Sequence, residues 1–288
     1  MENVLRSTRI TLEMIKWEHS IFALPFALTG AVLAANGWPP LRTLGLIILC
    51  MVAARSAAMA FNRWADATLD AANPRTAMRA IPVGQLSPNF VLAFTVIASA
   101  VFLIAAALLN RLTLELAPIA LAVVLAYSYM KRLTRWSHLV LGLALGIAPS
   151  AAWIAVRGSY DPRALLLTAI VILWVGGFDV LYACQDYEHD RRAGLFSIPA
   201  ALGLEGAFLT ARIMHLGMVI LLFVLIHAFA LGPIALIGMC LVVILLAYEH
   251  SIISPKNLTR MNAAFFTLNG IISVVFFGFV AIDILTRR

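Results

Sequence analysis

Nine predominantly apolar stretches, at residues 20 to 36, 41 to 61, 89 to 109, 113 to 130, 138 to 156, 164 to 183, 207 to 229, 231 to 248 and 263 to 285, constrain this chain more than any other feature. About 20 apolar residues is the length an α-helix needs to cross the hydrocarbon core of a bilayer. With 62% hydrophobic and only 12% charged residues, the rest of the chain offers too little polar surface for a soluble globule of this size. The expected fold is all-α, a polytopic membrane protein with nine transmembrane helices. Asn110-Arg111-Leu112 separates the third run from the fourth, and Leu231-Gly232-Pro233 the seventh from the eighth, so both pairs read as tight hairpins.

Polar segments at 62 to 88, 131 to 137, 184 to 206 and 249 to 262 all fall on one side of such a bundle. Together with the amino terminus they carry thirteen Lys and Arg residues, whereas the opposite short loops carry four, Arg42, Arg111, Arg157 and Arg163. The positive-inside rule places the basic side, and the amino terminus with it, in the cytoplasm. The net charge of +7 is thereby explained by topology. The bases interleave with no aromatic nucleic-acid motif, and nucleic acid is not an expected partner. Cys50, Cys184 and Cys240 lie far apart and offer neither a CxxC metal site nor a disulfide framework. No cleavable signal peptide is expected before the first run.

Two acidic stretches end the second and sixth runs, on the cytoplasmic side. In the first, Asn62, Asp66 and Asp70 recur every four residues, which on a helix aligns a carbonyl oxygen and two carboxylates in one stripe. The loop beyond breaks at Pro74 and Pro82 and carries Arg75 and Arg79, whose forked donors suit phosphate oxygens. The second stretch spaces Asp179, Tyr182 and Asp186 at i, i+3 and i+7, with Asp190 a turn beyond. Like charges one turn apart repel, and a divalent cation with oxygen ligands relieves that repulsion. Mg²⁺ takes one or two carboxylates together with substrate phosphates. The expectation is a diphosphate held through Mg²⁺ between facing carboxylates, with Arg75, Arg79 and Lys131 offsetting the remaining charge. Asp179 lies inside an apolar run, where an unpaired charge costs about 2.5–3.5 kcal/mol on insertion scales, so it is expected to face a polar cavity.

Asp66 and Asp186 are 120 residues apart, as are Asp70 and Asp190. This spacing suggests a single domain, 1–288, made of two four-helix halves at about 20–130 and 138–248 plus a ninth helix at 263–285, each half giving one cluster to a central cavity. Gly142-x-x-x-Gly146 is expected to mark close helix contact.

At these residues the chain resembles the intramembrane aromatic prenyltransferases of the 4-hydroxybenzoate polyprenyltransferase (UbiA) type. The family's first acidic motif matches Asn62, Asp66 and Asp70, the second Asp179, Tyr182, Asp186 and Asp190, and its Y-x-x-x-K matches Tyr127 and Lys131. The sequence departs from the first motif at Arg63, where the family has Asp. The resemblance implies nine helices around a central cavity, Mg²⁺ dependence, and transfer of a polyprenyl group from its diphosphate to an aromatic acid such as 4-hydroxybenzoate, in ubiquinone or menaquinone biosynthesis. Asn62, Asp66, Asp70, Asp186 and Asp190 are then the metal set. Asp66, Asp70, Asp179, Tyr182 and Lys131 are the catalytic candidates, and Arg75, Arg79, Tyr127 and Lys131 bind substrate. Lys16 and His19, at the mouth of the first run, are further candidates for the acceptor's carboxylate. Phe22, Phe26, Trp174, Phe178 and Tyr182 are candidates for screening a prenyl cation, while His138, His215, His227 and His250 show no ligand spacing. An ion-coupled transporter is the alternative, since polar residues in a pseudo-repeated bundle also suit carriage.

Overall fold

The computed structural model describes residues 2–15 and 20–287. Among these, the chain is a bundle of α-helices with no named strand. α1 (Glu2–Ile15) was not anticipated from the polar amino terminus. It lays Met14 and Ile15 against Ala60, Leu86 and Val91. α2 (Ser20–Ala35) and α3 (Leu41–Ala65) follow, and then a short helix, α4 (Ala67–Ala72). α5 (Pro88–Leu109) and α6 (Arg111–Ala126) form the first hairpin, and a 3₁₀ turn, Tyr127–Arg132, extends α6. α7 (Ser137–Arg157) and α8 (Ala164–Ala183) come next. A second 3₁₀ turn, Cys184–Asp186, leads into the short α9 (Tyr187–Ala193). α10 (Ile198–Ala228), α11 (Pro233–Ile252), a π-helical turn at Ala263–Leu268 and α12 (Asn269–Thr286) complete the chain.

Every apolar run became a helix, but eight of the described helices are long and apolar enough to cross a membrane, not nine. The run not counted is α2, described over 16 residues, Ser20–Ala35, before the backbone turns at Asn36 and Gly37, both at positive φ. The protein is nonetheless an integral, multi-pass membrane protein. Local capping sets several boundaries. Ser87 and Ser197 accept hydrogen bonds from the backbone N–H groups of Phe90 and Ala200, and each is followed by a proline in the first turn. Asn110 ends α5 and caps α6 through Thr113, while its amide donates across to Ile154 and Ala155, locking the hairpin onto α7.

α2 and α7 are shared by two rings of helices. α2, α7, α8, α10, α11 and α12 pack side by side in one, and α2, α3, α5, α6 and α7 in the other. Close approach along α7 depends on small residues. A Cβ on Gly142 would overlap the Ile172 backbone carbonyl, one on Gly146 would meet Thr168, and one on Gly30 of α2 would run into Pro149. Small residues at such crossings let helices exchange lipid contact for van der Waals contact. The largest core cluster fills the first ring, with Phe26 ring-to-ring against Trp174 at 4.9 Å and Phe276 at 5.3 Å. Phe26 and Trp174 therefore serve packing rather than cation screening. The side chain of Phe22 lies outside the described residues.

Gly142→Leu is expected to destabilise the protein by about 1–3 kcal/mol, as overpacking of a tight core does. Gly45→Leu, at a position with open space around it, is the control. Thermal unfolding in detergent checks this, and equal midpoints for the two variants would contradict the contact.

Candidate functional site

The spacing of the first acidic stretch predicts one continuous helical stripe. Instead α3 stops at Ala65, and Asp66, at φ −97 and ψ 9, starts the separate helix α4. The second stretch breaks the same way: Asp186, at φ −99 and ψ 7, ends the 3₁₀ turn and caps the start of α9. The side-chain bonding explains the first break. Asn62 donates to Asp66 Oδ2 at 3.0 Å, and Arg132 reaches both Asp66 Oδ1, at 2.8 Å, and the Ala65 carbonyl, at 2.6 Å. Drawing the carboxylate toward these donors turns the backbone out of the helix and swings Asp70 inward, where it is buried.

Both clusters line one recess of about 210 Å³, walled by Asn62, Asp66, Asp70, Asp179, Asp186 and Asp190 together with Arg75, Arg79 and Lys131. The loop after α4 spans it. Arg75 donates through Nε and Nη2 to the two oxygens of Asp186, at 2.8 and 2.5 Å, and through Nη1 to the Tyr182 hydroxyl at 3.3 Å. Asn73 adds a bond to Asp186 at 3.2 Å. Arg79 grips Asp70 at 2.5 Å, and Lys131 Nζ stands 3.8 Å from Asp190. Each of the four motif carboxylates thus carries one basic partner. Burial pushes the Asp66 carboxyl above the ordinary range, against the opposing pull of Arg132. Among the described residues no three Asp, Glu, His or Cys groups gather into a protein-only metal cage. Asp70 Oδ2 and Asp190 Oδ2, one from each cluster, are buried acceptors with no hydrogen-bond donor. Unsatisfied hard oxygens from both sides of a recess are the donors Mg²⁺ accepts, provided phosphate and water complete its shell.

Asn62, Asp70, Arg75, Arg79, Tyr127, Asp179 and Tyr182 also border a second, larger chamber of about 650 Å³. Its deeper wall is apolar, with Met59 of α3, Leu141 and Leu145 of α7, Val175 and Phe178 of α8, and Phe266 of the π-helical turn. Ile10, Glu13 and Met14 of α1 stand at its edge. Phe178 and Tyr182 therefore do face the space, joined by Phe266, whose ring lies 6.0 Å from that of Tyr182. Lys16 and His19 lie outside the described residues.

Three residues went unread in the sequence. Arg55, inside α3, lines the chamber and keeps its buried Nε without a partner. Arg132, one of the thirteen basic residues that set the topology, holds Asp66. His138, set aside for want of partner spacing, donates or accepts at 2.7 Å with Asp179. A lone charge in an apolar run was the available signal for Arg55; the other two pairings join residues 66 and 41 positions apart, and no local spacing reveals them.

The UbiA prenyltransferase family model matches residues 23–271. The chain is 31% identical over 251 residues to the 4-hydroxybenzoate octaprenyltransferase of Vibrio cholerae, covering 87% of this chain and 88% of that one. The enzyme of the same name from Photobacterium profundum is 28% identical, with 88% of each chain covered. Among solved structures, the apo form of a UbiA homolog from Aeropyrum pernix K1 superposes with a TM-score of 0.84 at 36% identity, covering 92% of this chain and 98% of that one. A UbiA homolog from Archaeoglobus fulgidus bound to GPP and Mg²⁺ has the same fold, with a TM-score of 0.75 at 20% identity and 96% and 99% coverage.

A double-mutant cycle on Arg75→Ala and Asp186→Ala is expected to give a coupling energy within roughly 0.5–3 kcal/mol, the range for residues in one ion-pair network. Denaturation of the four proteins in detergent reads it, and a coupling of zero would mean the two clusters are not joined.

Proposed function

The chain belongs to the UbiA prenyltransferase family, and from that premise we propose that it transfers a polyprenyl group from polyprenyl diphosphate to an aromatic acid such as 4-hydroxybenzoate, in quinone biosynthesis. The observation that carries this reading is the junction of two cavities. An acid-and-arginine recess suited to a metal–diphosphate shares a wall with a larger chamber whose apolar side, from Met59 to Phe266, is suited to a prenyl chain.

Asp66, Asp70, Asp186 and Asp190, with the Asn62 carbonyl, are the residues that would hold Mg²⁺; the Oδ2 atoms of Asp70 and Asp190, which accept no hydrogen bond, fit that role. When bound, the ion neutralises the diphosphate as a leaving group. The chain's own groups do the rest. Arg75, Arg79 and Lys131 line the recess and present N–H donors to phosphate oxygens. As the allylic C–O bond breaks, the rings of Phe178, Tyr182 and Phe266 offer negative faces to the prenyl cation and keep water from it. On the acceptor side, the unpaired Arg55 guanidinium matches a carboxylate, and Asp179, on the same chamber wall, accepts a hydrogen bond from the ring hydroxyl. That bond raises electron density at the adjacent ring carbon, which attacks the cation and then gives up its proton to the departing pyrophosphate. The thirteen-to-four bias in basic residues supports a recess that opens to the cytoplasm, with membrane lipid around the bundle.

Purified protein incubated with a labelled prenyl diphosphate, Mg²⁺ and 4-hydroxybenzoate tests the proposal. A prenylated acid and pyrophosphate are expected, both lost on chelation. Asp66→Ala or Asp186→Ala should abolish turnover without unfolding the protein. Arg55→Gln should raise the acceptor's KM about tenfold or more, the loss of one charge-assisted hydrogen bond. Retained turnover in the Asp variants, or an unchanged acceptor KM, would contradict these assignments.

A further inference from the structure

His138 is the second residue of α7, fully buried, and belongs to neither acidic motif. Its ring lies between two fixed groups. Nδ1 is 2.7 Å from Asp179 Oδ2, and the backbone N–H of Ile198 donates to Nε2 at 3.3 Å. Ile198 is the first residue of α10, so its N–H is one of those that a helix leaves without an internal acceptor. It is buried and must find a partner elsewhere. A backbone N–H can only donate, so Nε2 must present its lone pair. A neutral imidazole then carries its proton on Nδ1, which points it at Asp179.

We propose that His138 is a positioning residue for the transfer reaction: the start of α10 fixes its Nδ1–H tautomer, and that proton holds Asp179 Oδ2 so that the carboxylate's other oxygen faces the acceptor. The proposal rests on the role given to Asp179 above. Its reach goes further than one side chain, because the same short linker is tied to the second acidic cluster and to that cluster's basic partner, Lys131. Leu195 N–H donates to the Asp190 carbonyl at 2.9 Å, and Phe196 N–H to the Lys131 carbonyl at 2.7 Å. The carboxylate that meets the acceptor is therefore oriented by a segment whose backbone is bonded to Asp190 and Lys131. A simple cap for α10 would need only the Nε2 lone pair. The additional close approach to a carboxylate on the chamber wall is what a positioning role requires.

Two measurements test this. In steady-state assays, His138→Phe should lower kcat about a hundredfold, the scale of a small misplacement of a catalytic group. The KM for prenyl diphosphate should be unchanged. His138→Asn places an amide N–H where Nδ1–H stood and should recover most of kcat. His138→Gln, whose amide lies where Nε2 stood, should restore the cap for Ile198 but not the rate. An unchanged kcat in His138→Phe, or equal rates for the Asn and Gln variants, would overturn the proposal. Independently of activity, ¹⁵N NMR of histidine-labelled wild-type protein in lipid, assigned against His138→Asn, should show a protonated Nδ1 and a bare Nε2. A protonated Nε2 would overturn it whatever the variants' rates. If wild-type protein prenylates no aromatic acid, the functional reading fails while the NMR result still decides the tautomer.

Discussion

Everything at the acidic end of this bundle depends on keeping four carboxylates together in a recess that water only partly reaches. Without counter-charges, Asp66, Asp70, Asp186 and Asp190 would repel one another in a low dielectric. The protein answers with one base per acid, and it draws the bases from other segments: Arg132 from the end of α6 and Arg75 from the loop after α4. The Arg75 fork on Asp186 matters most, because it joins the two motifs directly. Exposed ion pairs stabilise little, but here the carboxylates are largely buried and the arginines half-buried.

That requirement also shapes the backbone. A regular helix through Asn62, Asp66 and Asp70 would hold all three in one stripe and leave no turn for Arg132 to reach. Breaking at Asp66, and again at Asp186, converts each motif into a helix end followed by a short helix, with nearly the same φ and ψ at positions 120 residues apart. The small residues of α7 then bring α2 and α8 close enough for the carboxylates and the apolar chamber to share a wall. Pairing leaves two oxygens, on Asp70 and Asp190, without donors. Both oxygens face the same recess, one from each motif, where a cation could draw on them together.

Much of this was legible in the residues. The nine apolar runs predict the helices because the bilayer enforces both length and hydrophobicity. The i, i+4 acids are visible because a helix turns periodic spacing into proximity. The departures are equally physical. α1 is amphipathic and marginal in hydropathy, so no spanning criterion finds it. α2 ends where Asn36 and Gly37 turn the chain at positive φ, a boundary that hydropathy alone does not mark. Phe26 and Trp174 share their composition with true cavity aromatics, and only packing separates them from Phe178 and Tyr182. The rule that flagged Asp179, a charge inside an apolar run, applies equally to Arg55. The His138 and Arg132 pairings, by contrast, depend on tertiary approach and leave no trace in spacing.

The central claim is that the two acidic motifs form one metal–diphosphate site rather than two separate ones. Mn²⁺ in place of Mg²⁺, read by EPR in the presence of a non-reacting prenyl thiodiphosphate, measures this most directly. Asp70→Asn and Asp190→Asn should each weaken metal retention by about tenfold or more, the scale for altering a metal's immediate surroundings. Metal retained at wild-type strength in either variant would contradict a shared site.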